Sequence, residues 1–253
     1  MPDTLGIETY KKDLFPPFIS AFEHFEKGEM EAGMKEFENI PEWFYKVELA
    51  GGVGLTSKKT TSLSTIYLEP GTYIMECYVR MPNGLGHVFM GMIKELKVSL
   101  ESNDNEPPKA DFKISISSEN GITFNDSIKS GNYTFEAKFE DQKKYEHLMG
   151  HDVNLVKIEN DSLVTDLNNW LNIVDFNAFR SPEPEGLLFL GGVEDLPAGE
   201  TGYFEATLLG FGILSFLLCS HAPESIDIIQ KIIHVPLTFT NTSTFLLSTK
   251  IDN

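Results

Sequence analysis

Cysteine is scarce in this chain of 253 residues, which has only Cys77 and Cys219. Two cysteines do not make a disulfide framework, and one bridge would need their backbones to come close, which the sequence does not establish. Long hydrophobic runs are missing as well, since no stretch of about 18 apolar residues occurs, so no membrane span is predicted. Residues 1–17 lack the apolar central region of a signal peptide.

Basic residues are also few. Lys and Arg number 20 against 38 Asp and Glu, for a formal net charge of −18. This balance argues against nucleic acid and anionic membrane surfaces as partners. An acidic surface favours solubility, and it would also steer a basic electron-transfer partner. The chain has no GxSxG elbow, HExxH helix or phosphate-binding loop, so no common hydrolase or nucleotide-binding chemistry is indicated.

The chain does contain enough apolar residues to form hydrophobic cores, with 41% hydrophobic and 11% aromatic residues. Residues 14–40 combine Phe and Met at three- and four-residue spacings with many Glu and Lys, which predicts one or two amphipathic helices. From Trp43 onward, short β-branched and aromatic runs alternate with Gly, Pro and Ser/Thr turns, a pattern typical of strands. The polar stretch 101–110 is the best linker and separates two series of such strands.

The two series share an order of features. A Gly-Gly-Val segment at 51–53 recurs at 191–193, and a turn followed by an aromatic strand recurs at a similar offset. The matched order favours an internal duplication. We therefore expect an all-β fold of two tandem Greek-key β-sandwiches with a helical insertion near the N-terminus, in domains of residues 1–105 and 106–253.

Three side chains that suit a metal lie on one loop between two strand-like runs: Cys77, His87 and Met92. Nine residues separate Cys77 from His87, and four separate His87 from Met92. A thiolate, an imidazole and a weak thioether are ligands of a mononuclear copper site. Over the 31 residues 68–98, this spacing and the preceding Leu-x-Pro-Gly-x-Tyr-x-x-x-Cys resemble the C-terminal half of a copper-binding cupredoxin. The long gap from Cys to His is similar to that of the copper nitrite reductases, which carry two cupredoxin domains.

The resemblance implies that both sandwiches are cupredoxin-like and that one type 1-like copper site is present. Cys77 would be the thiolate ligand, His87 the imidazole ligand and Met92 the axial ligand. The implied function is electron transport with a redox partner protein, in a periplasmic or other extracytoplasmic location, and an oligomer is compatible with it. Two rival hypotheses are a metal-free cupredoxin-like binding or assembly module and a two-domain copper oxidoreductase with an interfacial site.

One ligand of the implied site has no obvious source. Cupredoxins supply a second histidine from an earlier strand, but upstream of Cys77 the sequence has only His24, in a stretch that predicts a helix. The chain starts abruptly for a sandwich, so either the natural protein begins earlier or the site has decayed. Gly150-His151 resembles the segment that carries the upstream histidine in cupredoxins. The roles of four residues stay open: His147, His151, Cys219 and His221.

Overall fold

The computed structural model describes residues 5–124, 128–143, 149–173 and 175–208, together with the backbone of 213–218 and 229–234. Within these residues lie three α-helices: α1 (Ile7–Glu26), α2 (Met30–Glu36) and α3 (Val164–Leu171). The helices predicted within residues 14–40 are confirmed, and α1 begins earlier than that segment. None of the described helices is long and apolar enough to cross a membrane.

Helix α1 packs through one stripe of side chains at spacings of three and four residues, as expected of an amphipathic helix. The buried members of the stripe are Tyr10, Leu14, Pro17 and Ala21. Towards its C-terminus α1 adds aromatic rings to the contact: the Phe18 and Phe22 ring centroids each lie 6.1 Å from that of Phe89. The helix is therefore fixed to the rest of the chain by apolar and aromatic packing.

The described strands are two to nine residues long, and most were anticipated by the alternation of β-branched and aromatic runs with turns. They are β1 (Gly52–Val53), β2 (Leu63–Thr65), β3 (Gly71–Glu76), β4 (Ile93–Val98), β5 (Phe112–Ser117), β6 (Gly121–Thr123), β7 (Gly131–Phe139), β8 (Asp152–Ile158), β9 (Leu187–Glu194), β10 (Thr201–Leu208), β11 (Ile213–Leu218) and β12 (Ile229–His234).

Ten of these described strands form two five-stranded sheets, in the orders β1-β9-β8-β11-β12 and β2-β10-β7-β5-β6. Neighbouring strands are antiparallel except β5 and β7, which run parallel. The sheets face each other across one apolar core. In it Phe135 of β7 and Phe204 of β10 stack with ring centroids 4.9 Å apart, and Val153 and Val193 of the other sheet belong to the same buried cluster.

The predicted fold class is wrong: the chain is mixed α and β rather than all-β with two tandem sandwiches. Strands β1 and β2 build no sandwich of their own but pair antiparallel with β9 and β10. The two Gly-Gly-Val segments are neighbours in one sheet, with Val53 opposite Val193. Glycine suits this approach, because a Cβ added to Gly54 would lie 2.4 Å from the Gly192 nitrogen.

Strands β3 and β4 form a separate two-stranded antiparallel hairpin. Helix α1 supports one face of it: the Tyr10 hydroxyl donates to Glu76 Oε2 at 2.7 Å, and the Ile7 N–H donates to Glu95 Oε2 at 2.9 Å. An isolated hairpin is marginally stable in water. The contacts with α1 therefore help to hold β3 and β4 in place.

The loop that joins β3 to β4 is anchored by Arg80, which is 8% exposed. Its Nη1 donates to the carbonyl oxygens of Asp175 at 3.0 Å and Phe176 at 2.9 Å. Its backbone N–H donates to the Phe179 carbonyl, and its carbonyl accepts from the Ser181 N–H. These four bonds tie the loop to the segment after α3, so the residues on the loop have defined positions.

Candidate functional site

The candidate site lies where the β3–β4 ladder ends. The last paired residues are Glu76 and Ile93, and one step further the Cys77 N–H donates to the Met92 carbonyl at 3.1 Å. Residues opposite each other in an antiparallel pair present their side chains on the same face, so Cys77 and Met92 share one face of the hairpin. Gly91, at φ 100°, makes the left-handed turn that leads the chain into β4.

The loop returns His87 to the same end of the hairpin. His87 begins a 3-10 helix, His87–Met90, and its N–H donates to the Val79 carbonyl at 2.8 Å. Its carbonyl accepts from the Met92 N–H at 3.1 Å. As a result the His87 Nδ1 lies 3.7 Å from the Cys77 Sγ. The structure thus brings two of the predicted ligands together, while the Met92 side chain is 55% exposed beside them.

The Cys77 thiol is held in its protonated form. Burial raises its pKa, a hydrogen bond to the backbone of Val79 opposes that effect, and the negative charges of Glu194 and Glu76 add to it. Cysteines that act as nucleophiles have lowered pKa values in electropositive surroundings. The surroundings of Cys77 favour its thiol form, so a metal ion would have to displace the thiol proton.

A second histidine ligand does not reach this point from the described residues. His24 lies on α1, where its Nδ1 pairs with Glu29 Oε2 at 2.6 Å. In the part of the chain that the structure describes, no three His, Cys, Asp or Glu side chains form a group that could hold a metal ion. Cys77 and His87 accordingly provide two donors of this kind, and the further donors nearby are methionine thioethers.

His151 belongs to the two-sheet core instead. It is fully buried just before β8, with its Nε2 2.8 Å from the Ser118 Oγ, and its N–H donates to the side chain of Gln142. Burial lowers its pKa. These contacts give His151 a structural place. Three other residues with open roles lie outside the described residues: His147, Cys219 and His221.

The donors at the hairpin end are a thiol, an imidazole and a thioether, from Cys77, His87 and Met92. Thiolate and thioether sulfur are soft ligands, which select copper(I), and imidazole binds copper as well. The 3.7 Å between Cys77 Sγ and His87 Nδ1 is close to the roughly 3.6 Å that separates a sulfur and a nitrogen on one tetrahedral ion with ordinary metal–ligand bonds. Cys77 and His87 are therefore close enough to share one ion, while a second imidazole of the predicted site is not among the described residues beside them.

A buried polar cluster next to the site was not predicted from the sequence, whose many acidic residues indicated an acidic surface. The Tyr78 hydroxyl donates to Glu194 Oε1 at 2.5 Å. The Asn154 side-chain amide donates to Glu194 Oε1 at 3.2 Å and Asp152 Oδ2 at 3.1 Å, and its Oδ1 accepts from the Leu55 N–H. Burial, reinforced by Asp152, raises the pKa of Glu194. The sequence signal for this buried carboxyl was the position of Glu194 at the end of the long apolar run 187–193.

The site opens on a broad cleft of about 2640 Å³ between the helices, the hairpin and the edge of the first sheet. Met75, Cys77, His87 and Met92 all line it. Much of the remaining wall is aromatic. The rings on it include Phe15, Phe18, Phe22, Phe25, Phe44 and Phe89.

Comparisons of the chain with protein-family models, with curated proteins and with solved structures found no match. The cupredoxin resemblance therefore rests on the residues of the hairpin and its loop, and it stays a prediction.

Proposed function

We propose that this protein binds one copper ion at the end of the β3–β4 hairpin, through Cys77, His87 and Met92, and that the bound ion carries single electrons. The observation that carries the proposal is the 3.7 Å contact between Cys77 Sγ and His87 Nδ1, with Met92 on the next step of the same ladder. These are the three residues in which the loop resembles a cupredoxin. When bound, copper would supply a one-electron redox change, and the protein would supply the ligands and partly bury the ion.

The surroundings of the site agree with electron transfer better than with catalysis. The pKa of the Cys77 thiol is raised, which disfavours nucleophilic chemistry in the metal-free protein. The net charge of −18 suits a basic redox partner, attracted at low ionic strength and released by salt. A periplasmic or other extracytoplasmic location belongs to the same proposal.

The proposal is tested by loading the purified protein with copper(I) under reducing, anaerobic conditions, removing free metal and measuring copper per chain. We expect one equivalent in the wild type and a large loss in Cys77→Ser. Mild oxidation of the loaded protein should then produce the intense visible absorption of a thiolate–copper(II) bond. A wild-type protein that retains no copper, or one whose copper content is unchanged by Cys77→Ser, would refute the assignment.

The aromatic cleft favours a second candidate, a metal-free module that binds an apolar ligand. Ligand sites are concave and mostly apolar, with few polar groups, and this cleft has that character although it is large and open. Trp170 lines it and provides an intrinsic reporter. Titration of Cys77→Ser with a long-chain fatty acid should give a saturable change in tryptophan fluorescence. A linear response without saturation would exclude this candidate.

A further inference from the structure

The two faces of the hairpin have different chemistry. Side chains alternate between the faces of a strand. Glu76 of β3 and Glu95 of β4 lie on the face that bonds to α1. The residues that alternate with them along each strand therefore lie on the other face. The ladder pairs Tyr73 with Leu96 and Met75 with Lys94 and ends at Cys77 beside Met92. The sulfur-bearing residues of this opposite face are Met75, Cys77 and Met92.

We infer that Met75 completes a sulfur-rich centre with Cys77, His87 and Met92 that selects copper(I) over copper(II). This inference rests on the proposed copper-binding function and names a ligand and an oxidation state that the loop resemblance does not imply. The inference is based on the register of β3 and β4. This register puts Met75, a third sulfur-bearing residue, on the same face as Cys77 and near the end of the hairpin where Cys77 contacts His87.

The distances allow Met75 to reach the centre. Residues two apart on one strand are about 6.8 Å apart between their Cα atoms. Cys77 follows Met75 at this spacing, and the three rotatable side-chain bonds of methionine let its sulfur extend towards an ion on Cys77. Met75 is 59% exposed and Met92 is 55% exposed, so neither side chain is held elsewhere by packing. Both line the cleft together with Cys77 and His87.

The donor set determines the oxidation state. One thiolate, two thioethers and one imidazole are mainly soft donors, which select copper(I). Copper(II) in blue-copper sites takes two imidazoles, and a second imidazole is not among the described residues near Cys77. Binding replaces the thiol proton by the metal ion, so one proton leaves for each ion bound and no electron is transferred.

The experiment measures copper(I) affinity anaerobically by competition with a chromogenic copper(I) chelator. We expect Met75→Leu to weaken binding about tenfold or more, since a ligand is lost while the side-chain volume is kept. Met34→Leu is the matched control, because Met34 is 58% exposed on α2 and is not part of the hairpin. In the wild type, silver(I) should shift the methyl NMR resonances of Met75 and Met92 but leave that of Met34 in place.

The possible outcomes separate the inference from the proposed function. If the wild type binds copper(I) but Met75→Leu binds it equally well and the Met75 methyl resonance does not move, Met75 is not a ligand and the inference is wrong. If copper(II) binds as tightly as copper(I), the inferred selectivity for copper(I) is wrong. If the wild type binds neither copper(I) nor silver(I), the inference and the proposed function both fail. Because the NMR measurement uses the wild-type protein, poor folding of a variant cannot obscure the result.

Discussion

Glu194→Gln should change the pH dependence of stability more than most substitutions in this protein. Glu194 ends β9 with 6% of its surface exposed, and its Oε1 accepts hydrogen bonds from Tyr78 and Asn154. Glutamine has the shape of the protonated acid and keeps an oxygen acceptor in that position. The substitution therefore removes the ionisation of this carboxyl while preserving its neighbours.

The sign of the pH effect on stability follows from the direction in which the pKa of Glu194 is shifted. Burial first, and then the nearby Asp152, raise the pKa of Glu194 well above the 4.5 of an ordinary glutamate. Below pH 4.5 the group is protonated in both the folded and the unfolded chain and has no effect. Above it the unfolded chain releases the proton first, so the free energy of unfolding falls as pH rises, until the folded-state pKa is passed. One such group contributes a slope of about 1.4 kcal/mol per pH unit.

The assay is urea unfolding of the metal-free protein at several pH values from 4.5 to 8. We expect the slope of stability against pH to be more negative in the wild type than in Glu194→Gln, by up to about 1.4 kcal/mol per pH unit. Asp195, with its pKa raised to about 6, and His151, with its pKa lowered by burial, contribute slopes of opposite sign that are common to both proteins. The exposed Glu205→Gln is the control and should keep the wild-type slope. Equal slopes for Glu194→Gln and the wild type would refute the reasoning.

Two further substitutions test the packing of the sheets. Phe204→Ala should cost about 3–5 kcal/mol in chemical denaturation, since it empties a buried site and removes the stack on Phe135; a cost below about 1 kcal/mol would contradict the described core. Gly54→Ala should destabilise the protein by about 1–3 kcal/mol, because its Cβ would meet the backbone of the adjacent strand at 2.4 Å. Gly52→Ala, where a Cβ would meet nothing within 4 Å, is its control and should change stability by less than about 0.5 kcal/mol.

Local structure was largely predictable from the sequence, because its signals lie within a few residues of each other. The mixed three- and four-residue spacing of Phe and Met indicated α1 and α2. The turn and aromatic run before Cys77 indicated β3, and the apolar run after His87 indicated β4. The closeness of Cys77 and His87 follows from the same local pattern, since a loop between paired strands returns to its starting point.

Strand pairing was not predictable in the same way. Whether β1 finds a partner within its own half or in β9 depends on contacts across about 140 residues, and alternation of side chains does not encode the partner. The repeated Gly-Gly-Val segment suggested two equivalent copies, whereas Val53 and Val193 face each other in one sheet. The burial of Glu194 was missed for the same reason, because it arises when β1 and β8 flank β9.

The pairing of β1 with β9 and of β2 with β10 has a consequence for the order of events during synthesis. Contacts between distant parts of a chain close late, because they must first overcome the entropy of a large loop. As the chain leaves the ribosome, α1, α2 and the β3–β4 hairpin can form first, because their mutual contacts lie within the first 98 residues. The segments 52–53 and 63–65 must wait for some 140 further residues before their partner strands exist. Until then they are unpaired edges, and the hairpin that carries Cys77 is present before the sheets beside it are complete.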